Sequence, residues 1–546
     1  MGHKHVNAVI IGAGAGGGVT AKVLCEAGLS VVLLEAGPWY SASDFQKDEL
    51  QNTRRAYLGN AYAPDPAKNP RVLVNAEGRQ NIGGHGYVAE CVGGGTQSYG
   101  ALAYRYLPQD FRMKSTYGAV EGSTLEDWPI SYEDLEPYYE KAEWEIGVSG
   151  DYSGNPFHPP SNRSLPMPPL PPNRAWEILK PAAQQLGWHP FDTPMLRNSI
   201  PYEGRAACMR CRWCVGFICE VDAKNGTQNT VIPKALKTGL CELRTGCRVR
   251  EIQMASATKA RGVIYHGPDG RLQTQTADLV IVSTSAVEAA RLLLNSRSTA
   301  FPEGLGNRYD CVGRNLQSHA YAGAEAIFPE EVQDDLGPGA SIAVCDFNHG
   351  NPGLIGGGVI ANDFIKLPIQ FTNILPPGTP RWGKAHKDHM RQNYRRFLGV
   401  KSPIQEMPMW DMRVELDPVV RDYWGVPVPR ISGVRHPLDV QLGRFMADRC
   451  EEWLREAGAS QVWKGSVSRK EASLGQHQSG TCRMGTDPTT SVVDPQGRVH
   501  DVDNVHVISG AVHVTNGGFN PVLTILALAY RSAEKLCQNW RSGKWS

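Results

Sequence analysis

The opening of this chain restricts its fold more than any other stretch. Val6-Asn7-Ala8-Val9-Ile10-Ile11 is a largely apolar run that predicts a buried parallel strand, and Gly12-Ala13-Gly14-Ala15-Gly16-Gly17 follows it as G-x-G-x-x-G. Residues 19–26 have a helical pattern, and Ser30-Val31-Val32-Leu33-Leu34 predicts a second strand that ends in Glu35. Each part has a physical task. Gly12 allows the tight turn, Gly14 lets backbone approach a pyrophosphate, and Gly17 permits close packing of helix on strand. The helix N-terminus then offers its unpaired N–H groups to the anion. Glu35 is spaced to hydrogen-bond a ribose hydroxyl, and an acid there disfavours a 2′-phosphate. Strand, loop, helix, strand and acid in this order commit the region to a Rossmann-like α/β layer that binds a dinucleotide. On these residues alone, FAD and NAD are both open.

A chain of 546 residues can bury more than one core, so two or three domains are expected. Lys+Arg is 56 against Asp+Glu 55, without a long run of one sign, which argues against nucleic acid or an anionic membrane as the main partner. No stretch approaches ~20 uninterrupted apolar residues, so no membrane span is expected. No secretion signal is visible before Gly12. The 13 cysteines are odd in number and mostly scattered, which favours a reducing cytoplasm over a disulfide framework. Export with a partner subunit stays open.

Cys91-Val92-Gly93-Gly94-Gly95-Thr96 is a second glycine-rich loop, bare enough for a ligand to approach Gly94, Gly95 and Thr96 closely. Ser131 is placed to N-cap a helix beginning at Tyr132. Prolines crowd residues 155–173, which excludes helix and central strand and predicts a wrapping connection. Cys208, Cys211, Cys214 and Cys219 form C-x2-C-x2-C-x4-C. That spacing is compatible with an iron–sulfur or zinc site, with a local disulfide, or with free thiols. Zinc fits least, because four ligands so close in sequence leave little room for two knuckles. Residues 278–284 predict a buried strand that leads into a helix over 286–295, and residues 504–508 predict another strand. The last helix should start just after Asn520-Pro521, where the missing N–H of Pro521 costs nothing.

The expected organisation is therefore α/β, α+β overall. A nucleotide domain is assembled from residues 1–150, 208–315 and 469–546, with a proline-rich crossing at 151–207 and a substrate domain at 316–468. The chemistry-bearing stretch is His477-Gln478-Ser479-Gly480-Thr481-Cys482 together with Asn520. A histidine that accepts a proton and an amide that holds an oxygen are the two parts needed to take hydrogen from an alcohol. Residues 330–412 are rich in proline, glycine and aromatic residues and read as lid and pocket. Within them Trp382, Trp410 and Gln405 are candidates for contact with a sugar, or else core and surface residues. His319 and His513 are lesser candidates for that chemistry, read first as structural.

Taken end to end, from Val6 to about Leu536, the chain resembles the glucose–methanol–choline flavoprotein oxidoreductases. Gly313-Arg314-Asn315-Leu316-Gln317-Ser318-His319 is similar to their G-R-N-L-x-D-H segment. His477–Met484 with Val493-Asp494 is similar to H-x-x-G-T-C-x-M…V-D, and Phe519–Thr524 to N-P-x-x-T. Within the family it looks closest to bacterial sugar-oxidising enzymes, glycoside 3-oxidases and gluconate-dehydrogenase-like large subunits. The resemblance implies FAD as the nucleotide and a substrate domain built on a mostly antiparallel sheet covering the flavin. It assigns cofactor contacts to Val249, Ser509, Gly510, Pro521 and Thr524, beside the glycines and Glu35.

The resemblance also implies oxidation of a secondary alcohol, a sugar hydroxyl, to a ketone, with His477 as general base and Asn520 holding the oxygen. Electrons then pass to oxygen or another acceptor, and an oligomer or accessory subunit is compatible with it. Three departures matter. Relatives with a covalent histidyl-flavin bond have a histidine where this chain has Ser98, so FAD should be non-covalent. The usual D-G-S reads Ser509-Gly510-Ala511, which removes a carboxylate. Relatives holding a three-iron cluster space their cysteines differently, which counts against a cluster and leaves the metal expectation at none. Alternatives are the catalytic subunit of an iron–sulfur-linked dehydrogenase, a non-redox flavin-containing lyase, and a flavin-binding protein without turnover.

Overall fold

The structure, a computed structural model, describes residues 4–44, 47–50, 62–85, 87–469, 472 and 474–543. The strand Val6–Ile11 is buried at its apolar end and pairs in parallel with Val31–Leu34, which pairs in parallel with Cys241–Arg244. On its other side Val6–Ile11 pairs in parallel with Leu272–Val282. This long strand serves three partners, and its sequence shows why. Leu272-Gln273-Thr274-Gln275-Thr276 alternates and pairs antiparallel with Ala260–His266. Leu279-Val280-Ile281-Val282 is continuously apolar, buried on both faces, and sits between Val6–Ile11 and the parallel strand Val505–Val507. The antiparallel strand Arg248–Met254 closes this seven-stranded sheet, which draws residues from both ends of the chain.

The helix Ala15–Glu26 covers the sheet and packs against the last helix, Val522–Arg541. It starts four residues earlier than the pattern of residues 19–26 predicts, because Gly16, Gly17 and Gly18 are helical despite their poor propensity. Tertiary contact overrides propensity here. A Cβ on Gly16 would lie 2.0 Å from the Ile508 carbonyl oxygen, so no larger residue allows the helix to seat.

A second layer is a six-stranded antiparallel sheet in the order Gln461–Lys464, Tyr321–Ile327, Phe397–Pro403, Ile360–Asn362, Ile342–Val344, Phe191–Asp192. The helices Pro437–Glu456 and Arg174–Gln185 cover it, forming a separate core around Trp453, Met446, Val400 and Leu179. A four-stranded sheet joins Arg413–Arg421, Pro427–Ser432, Arg71–Val74 and Gln80–Gly83, with Arg430 and Ile431 in parallel register with Val72 and Leu73. That sheet unites residues on both sides of the expected boundaries at 150 and 316, since an extended edge pairs with whichever strand packing brings alongside.

Ser131 caps the helix Tyr132–Ala142 reciprocally. Its hydroxyl accepts from the Asp134 amide at 3.2 Å, and the Asp134 carboxylate accepts from the Ser131 amide at 2.9 Å. Residues 155–173 carry no helix or strand. Among the described residues no helix is long and apolar enough to cross a membrane.

Candidate active site

A cavity of ≈ 640 Å³ runs from the glycine loops to His477 and Asn520, between the two large sheets. Its inner end is built by the first turn of the chain. Gly14 precedes the helix Ala15–Glu26 in extended backbone, and a Cβ built on it meets no atom within 4 Å, so that position is open. Ala15 and Gly16 line the cavity, which leaves the N–H groups of the helix's first turn beside it. Gly17 does not line it. A Cβ there would lie 1.9 Å from the Gly12 carbonyl oxygen, so its task is helix-on-strand packing. Gly94 stacks on the same loop, its Cβ direction 3.2 Å from Gly14 Cα, and Gly95 and Thr96 continue the wall.

Glu35 is buried and braces the loop. One carboxylate oxygen accepts from the Ala13 amide at 2.8 Å and the other from the Gly37 amide at 2.9 Å. Burial raises its pKa to about 7, partly offset by those two amides. Gly12, Val249, Ser509, Gly510 and Pro521 line the cavity. Thr524 does not. It lies inside the last helix with its hydroxyl 2.8 Å from the Tyr139 hydroxyl, so it supports the helix instead of meeting a ligand.

At the outer end His477 sits in a bulge. The strand Gln317–His319 pairs antiparallel with Gln476–Ser479, but Gln317 faces Ser479 and His319 faces Gln476, so the second strand carries one extra residue. His477 has φ +68°, a left-handed backbone uncommon outside glycine, and this turns its ring out of the ribbon towards the cavity. The Asn520 amide nitrogen lies 3.4 Å from His477 Nε2 and 3.5 Å from the Tyr321 hydroxyl. An amide nitrogen only donates, so Nε2 presents its lone pair there. Burial, and after it the neighbouring His319, holds the His477 pKa well below the ordinary histidine range. The ring is therefore neutral near pH 7. A neutral imidazole with its lone pair beside an amide donor and a phenol is equipped to take the proton of an alcohol and hold the oxygen it leaves.

A family profile described as GMC oxidoreductase matches residues 92–321, and its C-terminal counterpart matches residues 410–529. The chain belongs to the GMC oxidoreductase family. It is 31% identical over 97% of its length to 6'''-hydroxyparomomycin C oxidase of Streptomyces lividus, covering 91% of that protein. It is also 31% identical to 2-methyl-1,2-propanediol dehydrogenase of Mycolicibacterium austroafricanum, covering 97% of this chain and 95% of that one. The crystal structure of a pyridoxine 4-oxidase from Mesorbium loti superposes with a TM-score of 0.61 at 17% identity, over 97% of this chain and 98% of the other, and shares the fold. As a GMC oxidoreductase the chain acts on CH–OH groups.

The residues present fit FAD, the cofactor of this family. The open positions at Gly14 and Gly95 leave room for backbone to approach a pyrophosphate. The hydroxyls of Ser283, Thr284 and Ser285 border the cavity and are buried without a protein partner, as groups awaiting a polar ligand would be. Glu35 retains acceptor capacity beyond its two amides for a ribose hydroxyl.

The end of the cavity that carries His477 and Asn520 has a polar wall that sequence reading missed. Tyr321, Asn362, Asp363, Lys366, Lys401 and Gln476 line the cavity there. Lys366 pairs with Asp363 at 2.6 Å, and Lys401 pairs with the buried Glu325. The usable signal was a lone charge in an apolar strand: Glu325 within Tyr321–Ile327 and Lys401 within Phe397–Pro403.

The three residues named as sugar contacts do not line the cavity. Trp382 is 84% exposed, Gln405 is fully buried in the core, and Trp410 lies under the Arg314 guanidinium 4.6 Å away. His513 is buried too, its pKa pushed down to about 3 by burial. Cys208, Cys211, Cys214 and Cys219 are free thiols, and among the described residues no three His, Cys, Asp or Glu side chains gather to hold a metal ion. Cys211 and Cys214 lie side by side, and cations approach these thiols. The Arg197 guanidinium donates to Cys214 Sγ at 2.7 Å, while Cys211 lies 3.9 Å from the Lys47 ammonium. Arg212 and Val215 of this segment do reach the cavity.

Proposed function

We propose that this GMC oxidoreductase oxidises a secondary hydroxyl of a sugar or glycoside to a ketone, with non-covalent FAD and with His477 as general base. The observation that carries the reading is the neutral His477 with Nε2 towards the cavity, 3.4 Å from the Asn520 amide and beside Tyr321. The substrate O–H donates to His477 Nε2, and its oxygen accepts from Asn520 Nδ2, with the Tyr321 hydroxyl alongside. FAD, when bound, accepts the hydride that leaves the carbon. As the proton moves to Nε2, Asn520 keeps the oxygen in place without itself changing charge.

A polyhydroxylated substrate is supported by the compensated ion pairs Lys366–Asp363 and Lys401–Glu325, which offer donors and acceptors with little net charge. The Streptomyces lividus relative is named as an oxidase of 6'''-hydroxyparomomycin C, a hydroxylated compound. Non-covalent binding is supported by Ser98, which lines the cavity and is the residue that the resemblance matches to a flavin-linking histidine. Thirteen unpaired cysteines fit a reducing cytoplasm.

The test is anaerobic bleaching of the bound flavin by a panel of sugars, glycosides, polyols and simple alcohols. A general base contributes roughly 10²–10⁴-fold, so His477→Ala should keep its FAD and lose about that much reduction rate. Near-normal reduction by that variant, or bleaching by simple alcohols alone, would overturn the reading. Repeating the assay in air distinguishes oxygen from another electron acceptor.

A further inference from the structure

The segment ending in His319 stands out in the sequence, yet the reaction as described gives it no task. His319 is 1% exposed and does not line the cavity. Its Nε2 lies 2.9 Å from the Gly517 carbonyl oxygen and 3.2 Å from that of Asn516. Carbonyl oxygens only accept, so this nitrogen carries a hydrogen. Burial holds the His319 pKa below the ordinary histidine value, so the ring is neutral and its Nδ1 has the lone pair. That Nδ1 lies 2.8 Å from Nδ1 of His477. Two lone pairs do not meet at that distance, so His477 donates from Nδ1. A neutral imidazole protonated there is bare at Nε2, the atom beside Asn520.

We infer that His319 is a positioning residue that fixes the tautomer of His477, keeping Nε2 free to accept the substrate's proton. The inference rests on reading His477 as the base. The same bond serves after proton transfer, when the Nδ1–H of a charged His477 ring donates to a neutral acceptor and the hydrogen bond strengthens. His319 has no second bare nitrogen through which to pass the proton on, so the proton leaves from the cavity side.

The scaffold holds this geometry firmly. The two histidines face each other across the bulged pair Gln317–His319 and Gln476–Ser479. The Glu406 carboxylate accepts from the amides on either side of His319, Ser318 at 3.2 Å and Ala320 at 2.9 Å, and is itself held by Arg435 at 2.8 Å. The titratable and charged groups facing His319 are thus Glu406 backed by Arg435, Asp110, His513 and His477.

Two variants and one spectrum test the inference. His319→Leu removes the acceptor, whereas His319→Asn puts a carbonyl oxygen near the former Nδ1 and restores it. Both lose the Nε2–H bonds to Asn516 and Gly517, so a purely structural role would affect them alike. His319→Leu should reduce flavin about 10²-fold or more slowly, with little change in KM, and His319→Asn should recover most of that loss. Bound FAD in both variants checks their folding. In ¹⁵N-histidine-labelled wild-type protein, with His477 assigned by comparison with His477→Gln, the hydrogen should sit on Nδ1 and Nε2 should be bare. A hydrogen on His477 Nε2 in the wild type, or equal slowing of the two variants, would overturn the inference. The expected spectrum combined with full activity of His477→Ala would instead leave the tautomer assignment standing and remove the general-base reading.

Discussion

Replacing Gly14 with alanine separates cofactor binding from folding, and the structure gives the sizes of both effects. Gly14 has φ −81° and ψ −155°, backbone that alanine adopts without strain, and its Cβ would meet no protein atom within 4 Å. Alanine is a poorer N-cap than glycine by about 0.5–1 kcal/mol. Removing a glycine from the unfolded chain returns about 0.4–1 kcal/mol. The two cancel, so the apoprotein should unfold as the wild type does. The new methyl group instead stands in the cavity where backbone must approach the pyrophosphate. Overpacking of this kind costs about 1–3 kcal/mol, which corresponds to a roughly 5- to 150-fold weaker FAD complex.

Gly17→Ala is the contrast, because its Cβ would lie 1.9 Å from the Gly12 carbonyl oxygen and the helix would have to leave the strand. Titration of apoprotein with FAD, read by quenching of flavin fluorescence, and thermal melts of the apoproteins measure the two quantities separately. Unchanged FAD affinity in Gly14→Ala would refute the assignment of this loop to the pyrophosphate. A clear drop in apoprotein stability would refute the claim that the position is open.

Two further outcomes follow from the site's electrostatics. Asn520→Asp places a carboxylate about where the amide now lies, 3.4 Å from His477 Nε2. An opposite charge at that range should raise the His477 pKa by about 1–3 units, so the acid limb of the pH–rate profile should move upward, and an unmoved limb would contradict the contact. Buried histidines also set acid stability. Burial, and behind it Arg71, Arg291 and Arg248, pushes the His85 pKa down to about 4, against Glu288, which raises it. The unfolded chain therefore binds more protons below about pH 6.5, and stability should fall as pH falls through that value towards 4, by about 1.4 kcal/mol per pH unit for His85. Melts from pH 7.5 to 4.5 should show this decline, and His85→Phe should flatten it; equal slopes in the two proteins would place the acid sensitivity elsewhere.

The sequence by itself determined what depends on neighbours along the chain. The strand–glycine–helix–strand–acid order places the nucleotide loop. The continuous apolar run Leu279–Val282 marks a strand buried on both faces, and Ser131 and Pro521 mark helix starts. The pair His477 and Asn520 was legible as chemistry, since a proton acceptor and an uncharged amide are recognisable by type. Tertiary structure alone decided which atoms meet. Whether a thiol cluster forms depends on where Arg197 and Lys47 arrive, and whether Thr524 touches cofactor depends on which way its helix turns. The polar wall needs strands from distant segments paired in register, and the tautomer of His477 needs a bulge, a left-handed backbone and a second histidine 158 residues away in sequence. Local propensity fixes elements because its contacts lie within a few residues. The orientation of a proton is fixed by contacts between segments that only the packed fold brings within hydrogen-bond distance.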